Sequence, residues 1–107
     1  MAFGKTKDVA IKFVNATGQT VSIAREGHRV KNPGLGGDGW GDLVLGGSIN
    51  DLPDGGSRTV VQDLSVNSDD DIQFEIHWGA RGDRDYVQVF SGQNINDKNA
   101  TLTLTRH

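Results

Sequence analysis

Apolar and polar side chains alternate along most of this chain, and no segment shows the 3.6-residue spacing of an amphipathic helix. The clearest alternation runs over residues 72–78 and predicts a strand. Its apolar side is formed by Ile72, Phe74, Ile76 and Trp78, and its polar side by Gln73, Glu75 and His77. Shorter stretches of the same kind predict strands over 9–13, 20–24, 57–62, 86–90 and 100–105.

Turn residues separate these predicted strands. Residues 15–19 contain Gly18 and are interpreted as a hairpin-type connection between the first two strands, and Leu52–Gly56 has the Pro-Asp-Gly chemistry of a tight reversal. Residues 25–41 form a long, polar, glycine-rich excursion, and Leu43–Leu45 is either a short strand or a buried loop segment. Six or seven short strands favour an antiparallel β-sandwich or a closed barrel. We predict one all-β, antiparallel β-sandwich domain over residues 1–107.

Composition narrows the function classes. The chain of 107 residues has no cysteine, which excludes disulfides, thiolate nucleophiles and cysteine-ligated metals. The net charge is −3 and no run of Lys or Arg occurs, so neither nucleic-acid binding nor anchoring by a polybasic patch is expected. No signal peptide or membrane-spanning segment is visible. We expect a soluble protein that is cytoplasmic or leaves the cell by a non-classical route.

The glycine-rich segment 34–41 raises the question of a nucleotide site. Its first six residues fit the G-x-G-x-x-G fingerprint, but no strand–helix–strand pattern surrounds them, and that fingerprint has meaning only in such a unit. A surface loop is the simpler interpretation. Glycines on both sides of Trp40 favour partial exposure of its ring and predict that it is more accessible than Trp78.

Other motifs carry little chemistry. Asp69–Asp71 could suggest calcium but lacks an EF-hand spacing, and Arg81–Asp83 is typical of a solvated turn. Three histidines stand outside any known catalytic motif, so we predict no enzyme, no metal site and no cofactor. Glycosylation sequons begin at Asn15 and Asn99 and matter only in a eukaryotic secretory pathway.

Three segments stand out together: the opening segment from Val9 to Ile23, the Trp78-Gly79 pair that ends a strand, and the Phe90-Ser91-Gly92-Gln93-Asn94 stretch before the last strand. In these segments the chain resembles the aegerolysin family of small acidic β-sandwich proteins. Together they cover about half of the chain in the family's order. The resemblance implies a cofactor-free sandwich that binds membrane lipids, often sphingolipids, and that in some members acts with a larger partner protein in a cytolysin-like, pore-forming system.

The leading functional hypothesis is therefore a non-enzymatic module that recognises a membrane lipid headgroup. Tyr and Trp suit a membrane interface because one end of each ring is apolar and the other forms hydrogen bonds. The candidate contacts are Trp40, Trp78 and Tyr86, with His77 and Arg81 as headgroup partners. The alternation of 72–78 also allows Trp78 to be a core residue. The alternative function is a glycan-binding or self-assembling sandwich that uses exposed edge strands, including a homo-oligomer.

Overall fold

The computed structural model describes residues 6–31, 39–66, 71–80 and 85–106. These described residues form nine β-strands and no helix. The strands are β1 (Thr6–Asn15), β2 (Val21–Ile23), β3 (His28–Lys31), β4 (Trp40–Leu43), β5 (Ile49–Leu52), β6 (Ser57–Leu64), β7 (Ile72–Ala80), β8 (Asp85–Gln93) and β9 (Asn99–Leu104). The predicted all-β class is confirmed. The described chain contains no helix long and apolar enough to span a bilayer.

The strands build two sheets that pack face to face. The smaller sheet has the order β6-β1-β9. In the larger sheet of six strands, β7 is central: β8 pairs with one of its edges, while β3 and β2 pair one after the other with the opposite edge. β4 then pairs with β3, and β5 pairs with β2. This two-layer arrangement is the predicted β-sandwich.

The core lies between the two sheets and follows from the alternation of the strands. β7 alternates between buried and partly exposed residues along its whole length, so Phe74 and Ile76 point inward while Glu75 and His77 point outward. Val9, Ile11 and Phe13 of β1 are fully buried on the facing sheet. All buried apolar side chains of the described residues belong to one cluster. Hydrophobic burial between two half-apolar sheets therefore holds the fold together.

The structure corrects two expectations about strand pairing. Residues 15–19 do not close a hairpin, because β1 pairs with β6 and β9 whereas β2 pairs with β5 and β7 in the other sheet. The chain crosses between layers here, which lets the apolar faces of both strands bury against each other. In addition, β1 and β9 run parallel, so the sandwich is not purely antiparallel.

The polar segment 25–41 also differs from expectation. It is predicted as a long excursion, yet β3 lies within it and β4 begins at its end, and β5 is a further short strand that the pattern does not predict. The pattern was missed because strands this short show only two inward positions. For Leu43–Leu45 both alternatives apply in part, since Leu43 ends β4 and Leu45 is buried just beyond it.

Candidate recognition face

Cross-strand register gathers functional side chains on the outer face of the larger sheet. Directly paired residues of neighbouring strands point to the same face of a sheet. Arg29 of β3 is paired with Glu75 of β7, and Glu75 is paired with Val89 of β8. We call this surface the recognition face. It carries Arg29, Lys31, Trp40, Glu75, His77, Val87 and Val89, and the same pairing places Gln73 and Asp42 on it.

Glu75 holds the charged part of the recognition face together. Its two carboxylate oxygens accept hydrogen bonds from Nε and Nη2 of Arg29, both at 2.9 Å. The Oε2 atom also lies 2.9 Å from Nε2 of His77. The hydrogen bonds from Arg29, and then that from His77, lower the pKa of Glu75 to about 2. The carboxylate is therefore ionised at any physiological pH, and its charge is already matched by Arg29.

Trp40 extends this charged group with an aromatic ring. The guanidinium carbon of Arg29 lies 4.8 Å from the ring centroid, and Nζ of Lys31 lies 5.7 Å from it. Both distances are within cation–π range. Within the described part of the chain, Lys31 has no carboxylate partner. Lys31 is thus a cation of the face that no described carboxylate neutralises, and it can bind an anionic group.

Two exposed valines lie beside the charged cluster. Val87 is 58% exposed and is paired with His77, and Val89 is 49% exposed and is paired with Glu75. Valine is usually buried in strands because its branched side chain packs well in a core. Their position next to fixed charges gives the recognition face an apolar border along β8.

His28 is buried under the recognition face, and its ring replaces a missing backbone hydrogen-bond partner of β7. β7 pairs with β3 through residues 73–75 and with β2 through residues 79–80, so the His77 amide has no strand partner on that edge. The His77 N–H instead donates to Nδ1 of His28 at 3.1 Å. The other ring nitrogen, Nε2, lies 2.6 Å from the Ala24 carbonyl oxygen. Since Nδ1 accepts, Nε2 must donate, which requires a neutral imidazole.

Acid is expected to weaken the fold through His28. Burial lowers the pKa of His28 below its ordinary value of 6.5, against the opposing effect of its bond to Ala24. The unfolded chain therefore binds a proton here at higher pH than the folded chain does. The stability present above pH 6.5 is lost as the pH falls from 6.5 towards the lower folded pKa. Urea denaturation across a pH series measures this slope.

The matched variant for that measurement is His28→Gln, which keeps one donor and one acceptor but does not titrate. We expect it to flatten the loss of stability between neutral pH and the onset of carboxylate titration. The contribution of Glu75 is separate. Its lowered pKa stabilises the folded state above about pH 4.5, and this stability is lost only as the pH falls from about 4.5 to about 2. An unchanged slope in His28→Gln would show that another group causes the acid sensitivity.

The five lipid-contact residues predicted from the sequence do not form one site in the structure. Trp40 and His77 both lie on the recognition face. Trp78 is only 2% exposed, so the expectation that it offers a surface contact is corrected: its ring belongs to the core. Tyr86 stacks on Trp78 with ring centroids 4.5 Å apart and is half-buried. Arg81 lies outside the described residues. Trp40 is more accessible than Trp78, as its flanking glycines predicted.

Sequence reasoning did not single out Glu75, Arg29, Lys31, Val87 or Val89 as members of the face. Glu75 could have been found, because it alternates on the same polar side as His77. Arg29 and Lys31 lie in a segment interpreted as loop, so their approach to Glu75 and Trp40 depends on an unrecognised strand. Val87 and Val89 had the alternation of a strand, but nothing in the sequence distinguished their side from the buried one.

Two shallow depressions flank His77 on this outer side. One, of about 540 Å³, is bordered by Asp42, Val44 and Glu75; the other, of about 380 Å³, is bordered by Ser22, Asn50 and Asp85. Among the residues described, no group of three or more His, Asp or Glu side chains could hold a metal ion. The segments 34–38, 69–70 and 81–83, which carry most of the glycine-rich, triple-aspartate and Arg-Gly-Asp motifs, lie outside the described chain.

No family model, curated protein or solved structure matches this chain. The resemblance to aegerolysins therefore stays a prediction that depends on the sequence segments alone.

Proposed function

We propose that this protein is a non-enzymatic module that recognises a membrane lipid through the recognition face. The observation that carries the proposal is the direct pairing of Val87 and Val89 with His77 and Glu75. This register places an exposed apolar border next to a fixed charged and aromatic group. Such a surface suits the region of a bilayer where acyl chains meet polar headgroups.

Each part of the face has a distinct role in this proposal. The two valines enter the apolar side of the interface, and the half-buried Trp40 ring lies at headgroup level. Lys31 donates to a phosphate oxygen of the headgroup. Glu75 does not repel that phosphate strongly, because its charge is matched by the bidentate bond from Arg29. The local cation therefore acts without a basic patch, in a protein whose net charge is −3.

The hydrogen bonds of His28 and His77 tie both rings to neighbouring groups of the larger sheet. In the described chain, His28 bonds to backbone groups of Ala24 and His77, and the ring of His77 bonds to Glu75. Among the residues that the structure describes, neither of these imidazoles hydrogen-bonds to a hydroxyl side chain that it could activate as a nucleophile. A sphingolipid as the lipid and a larger pore-forming partner protein are further proposals that rest on the aegerolysin resemblance.

Glycan binding is the second candidate function. The depression of about 380 Å³ is bordered by the Ser22 hydroxyl, the Asn50 amide and the Asp85 carboxylate, which are groups that hydrogen-bond sugar hydroxyls. A glycan array separates the two functions. Selective binding to glycans by a protein that ignores all vesicles would replace the lipid proposal.

Vesicle sedimentation tests the lipid proposal directly. We expect binding to phosphatidylcholine vesicles, with or without sphingomyelin, that persists in high salt. Partial burial of each valine in the bilayer contributes about 1 kcal/mol to the free energy of binding. Replacing both Val87 and Val89 by Ser should therefore lower the affinity for vesicles roughly tenfold or more. Trp40→Ala should also weaken binding, and both variants should remain folded because the replaced side chains lie outside the core.

The matched control is Val61→Ser, since Val61 is 53% exposed but lies on β6 of the smaller sheet. It should bind vesicles as the unaltered protein does. Equal losses in the control and in the Val87/Val89 variant would contradict a lipid contact on the recognition face. Binding that required phosphatidylserine and disappeared in salt would show a bulk electrostatic mechanism instead.

A further inference from the structure

β8 forms one edge of the larger sheet. Within the described chain it pairs along one side only, with β7. Proteins usually protect such an edge with Lys, Pro, bulges or short strands. β8 spans nine residues and has no Lys, Arg or Pro. Its one charged residue, Asp85, is the first of the strand, and its register shift lies beyond Phe90, so residues 86–90 carry neither protection. The edge strand β6 of the other sheet carries Arg58 and Asp63. Among the described residues, the outer edge of residues 86–90 therefore has none of these protections.

The sequence of β8 identifies which strand fits. Residues 86–90 read Tyr-Val-Gln-Val-Phe, which has the same order of side-chain types in both directions. In antiparallel pairing centred on Gln88, each residue meets one of its own kind: valine meets valine, and an aromatic ring meets an aromatic ring. We propose that β8 pairs with β8 of a second copy of this chain, about a two-fold axis at Gln88. Such self-complementary contact is what a two-fold dimer requires.

The inner side of the strand is compatible with this pairing. The Gln88 side chain points into the sandwich, where its Oε1 accepts a hydrogen bond from the Thr105 amide at 3.2 Å. Tyr86 and Phe90 are half-buried and pack against the core. Backbone pairing along the open edge therefore leaves these inner contacts in place. On the outer side, Val87 of each copy comes to lie opposite Val89 of the other.

The dimer has a consequence for the recognition face. Antiparallel pairing within one continuous sheet puts the two-fold axis perpendicular to the sheet, so the outer faces of both copies point the same way. The valines of the two copies then form one apolar stripe between two charged clusters. If the proposed lipid function holds, both faces contact the same membrane, and binding becomes bivalent. The pairing itself does not depend on that function.

Cysteine cross-linking tests the pairing in a chain that has no cysteine of its own. Directly opposite residues of an antiparallel pair have Cβ atoms about 4.5–5.5 Å apart, and diagonal ones about 7–8 Å. An equal mixture of Val87→Cys and Val89→Cys proteins should therefore form a mixed dimer on oxidation or with a short bifunctional thiol reagent. Each variant alone should cross-link far less. Distinct mass tags on the two variants identify the mixed product.

Sedimentation equilibrium of the unaltered protein provides the second measurement. A single strand pair buries little surface, so a weak dimer that increases with concentration is expected. Val87→Lys/Val89→Lys should be monomeric, while Val61→Lys should associate as the unaltered protein does. Val61→Cys is the control for cross-linking. The proposal would be overturned if the mixture cross-linked no more than Val61→Cys alone and the unaltered protein were a monomer at every concentration. Equal cross-linking by each single variant would overturn the register about Gln88.

Discussion

Replacing Asn15 by Ala is expected to lower the free energy of unfolding by about 3–5 kcal/mol, because several buried polar groups lose their partners at once. Asn15 is fully buried. Its Nδ2 donates to the carbonyl oxygens of Gln19 at 2.7 Å and Leu52 at 2.9 Å, and its Oδ1 accepts from the Thr17 amide at 3.0 Å. One side chain thus joins the crossover between the sheets to the end of β5. Urea denaturation measures the loss.

Asn99→Ala is the matched control for this experiment. Asn99 is exposed, and its Nδ2 makes one hydrogen bond of 3.2 Å to the Asp97 carbonyl. The same chemical change there should alter the free energy of unfolding by no more than about 0.5 kcal/mol. A similar small effect at both positions would show that the network around Asn15 is not needed for the fold.

Burial also makes the Asn15 sequon inaccessible to a glycosyltransferase in the folded protein, whereas Asn99 remains accessible.

Gly46→Ala should destabilise the protein by about 1–3 kcal/mol, which is the usual cost of overpacking. A Cβ atom at this position would lie 1.9 Å from the carbonyl oxygen of Val61 and 2.8 Å from its carbon. The backbone of β6 cannot move away freely, since its neighbour Gln62 is buried and accepts a hydrogen bond from the Gly46 amide through Oε1 at 3.2 Å. The substitution must therefore separate two backbones that now touch.

Gly47→Ala controls for the loss of glycine flexibility. A Cβ atom on Gly47 would meet nothing within 4 Å. Its thermal midpoint should therefore stay close to that of the unaltered protein, while that of Gly46→Ala should fall by several degrees. If both variants melted together, the contact between Gly46 and Val61 would not restrict the fold.

The clearest predictions from sequence concerned segments where side-chain alternation was long. β7 shows why, since four apolar residues at every second position bury one side regardless of which strands flank it. The tight turn at Leu52–Gly56 was predicted as well, and Gly55 there adopts a φ of 81° that favours glycine. Where strands have only four residues, as in β3 and β4, alternation is too brief to distinguish a strand from a polar loop.

The amino-acid sequence by itself determined that this is an all-β protein and which side of its long strands is buried, because alternation acts locally along each strand. Only the tertiary structure decided which strands become neighbours. Whether β1 pairs with β2 or crosses to another sheet depends on burial between distant segments, which local pattern does not encode. The recognition face is decided at that same level: Arg29, Glu75 and Val89 are far apart in the chain and meet only because β3, β7 and β8 are neighbours in register.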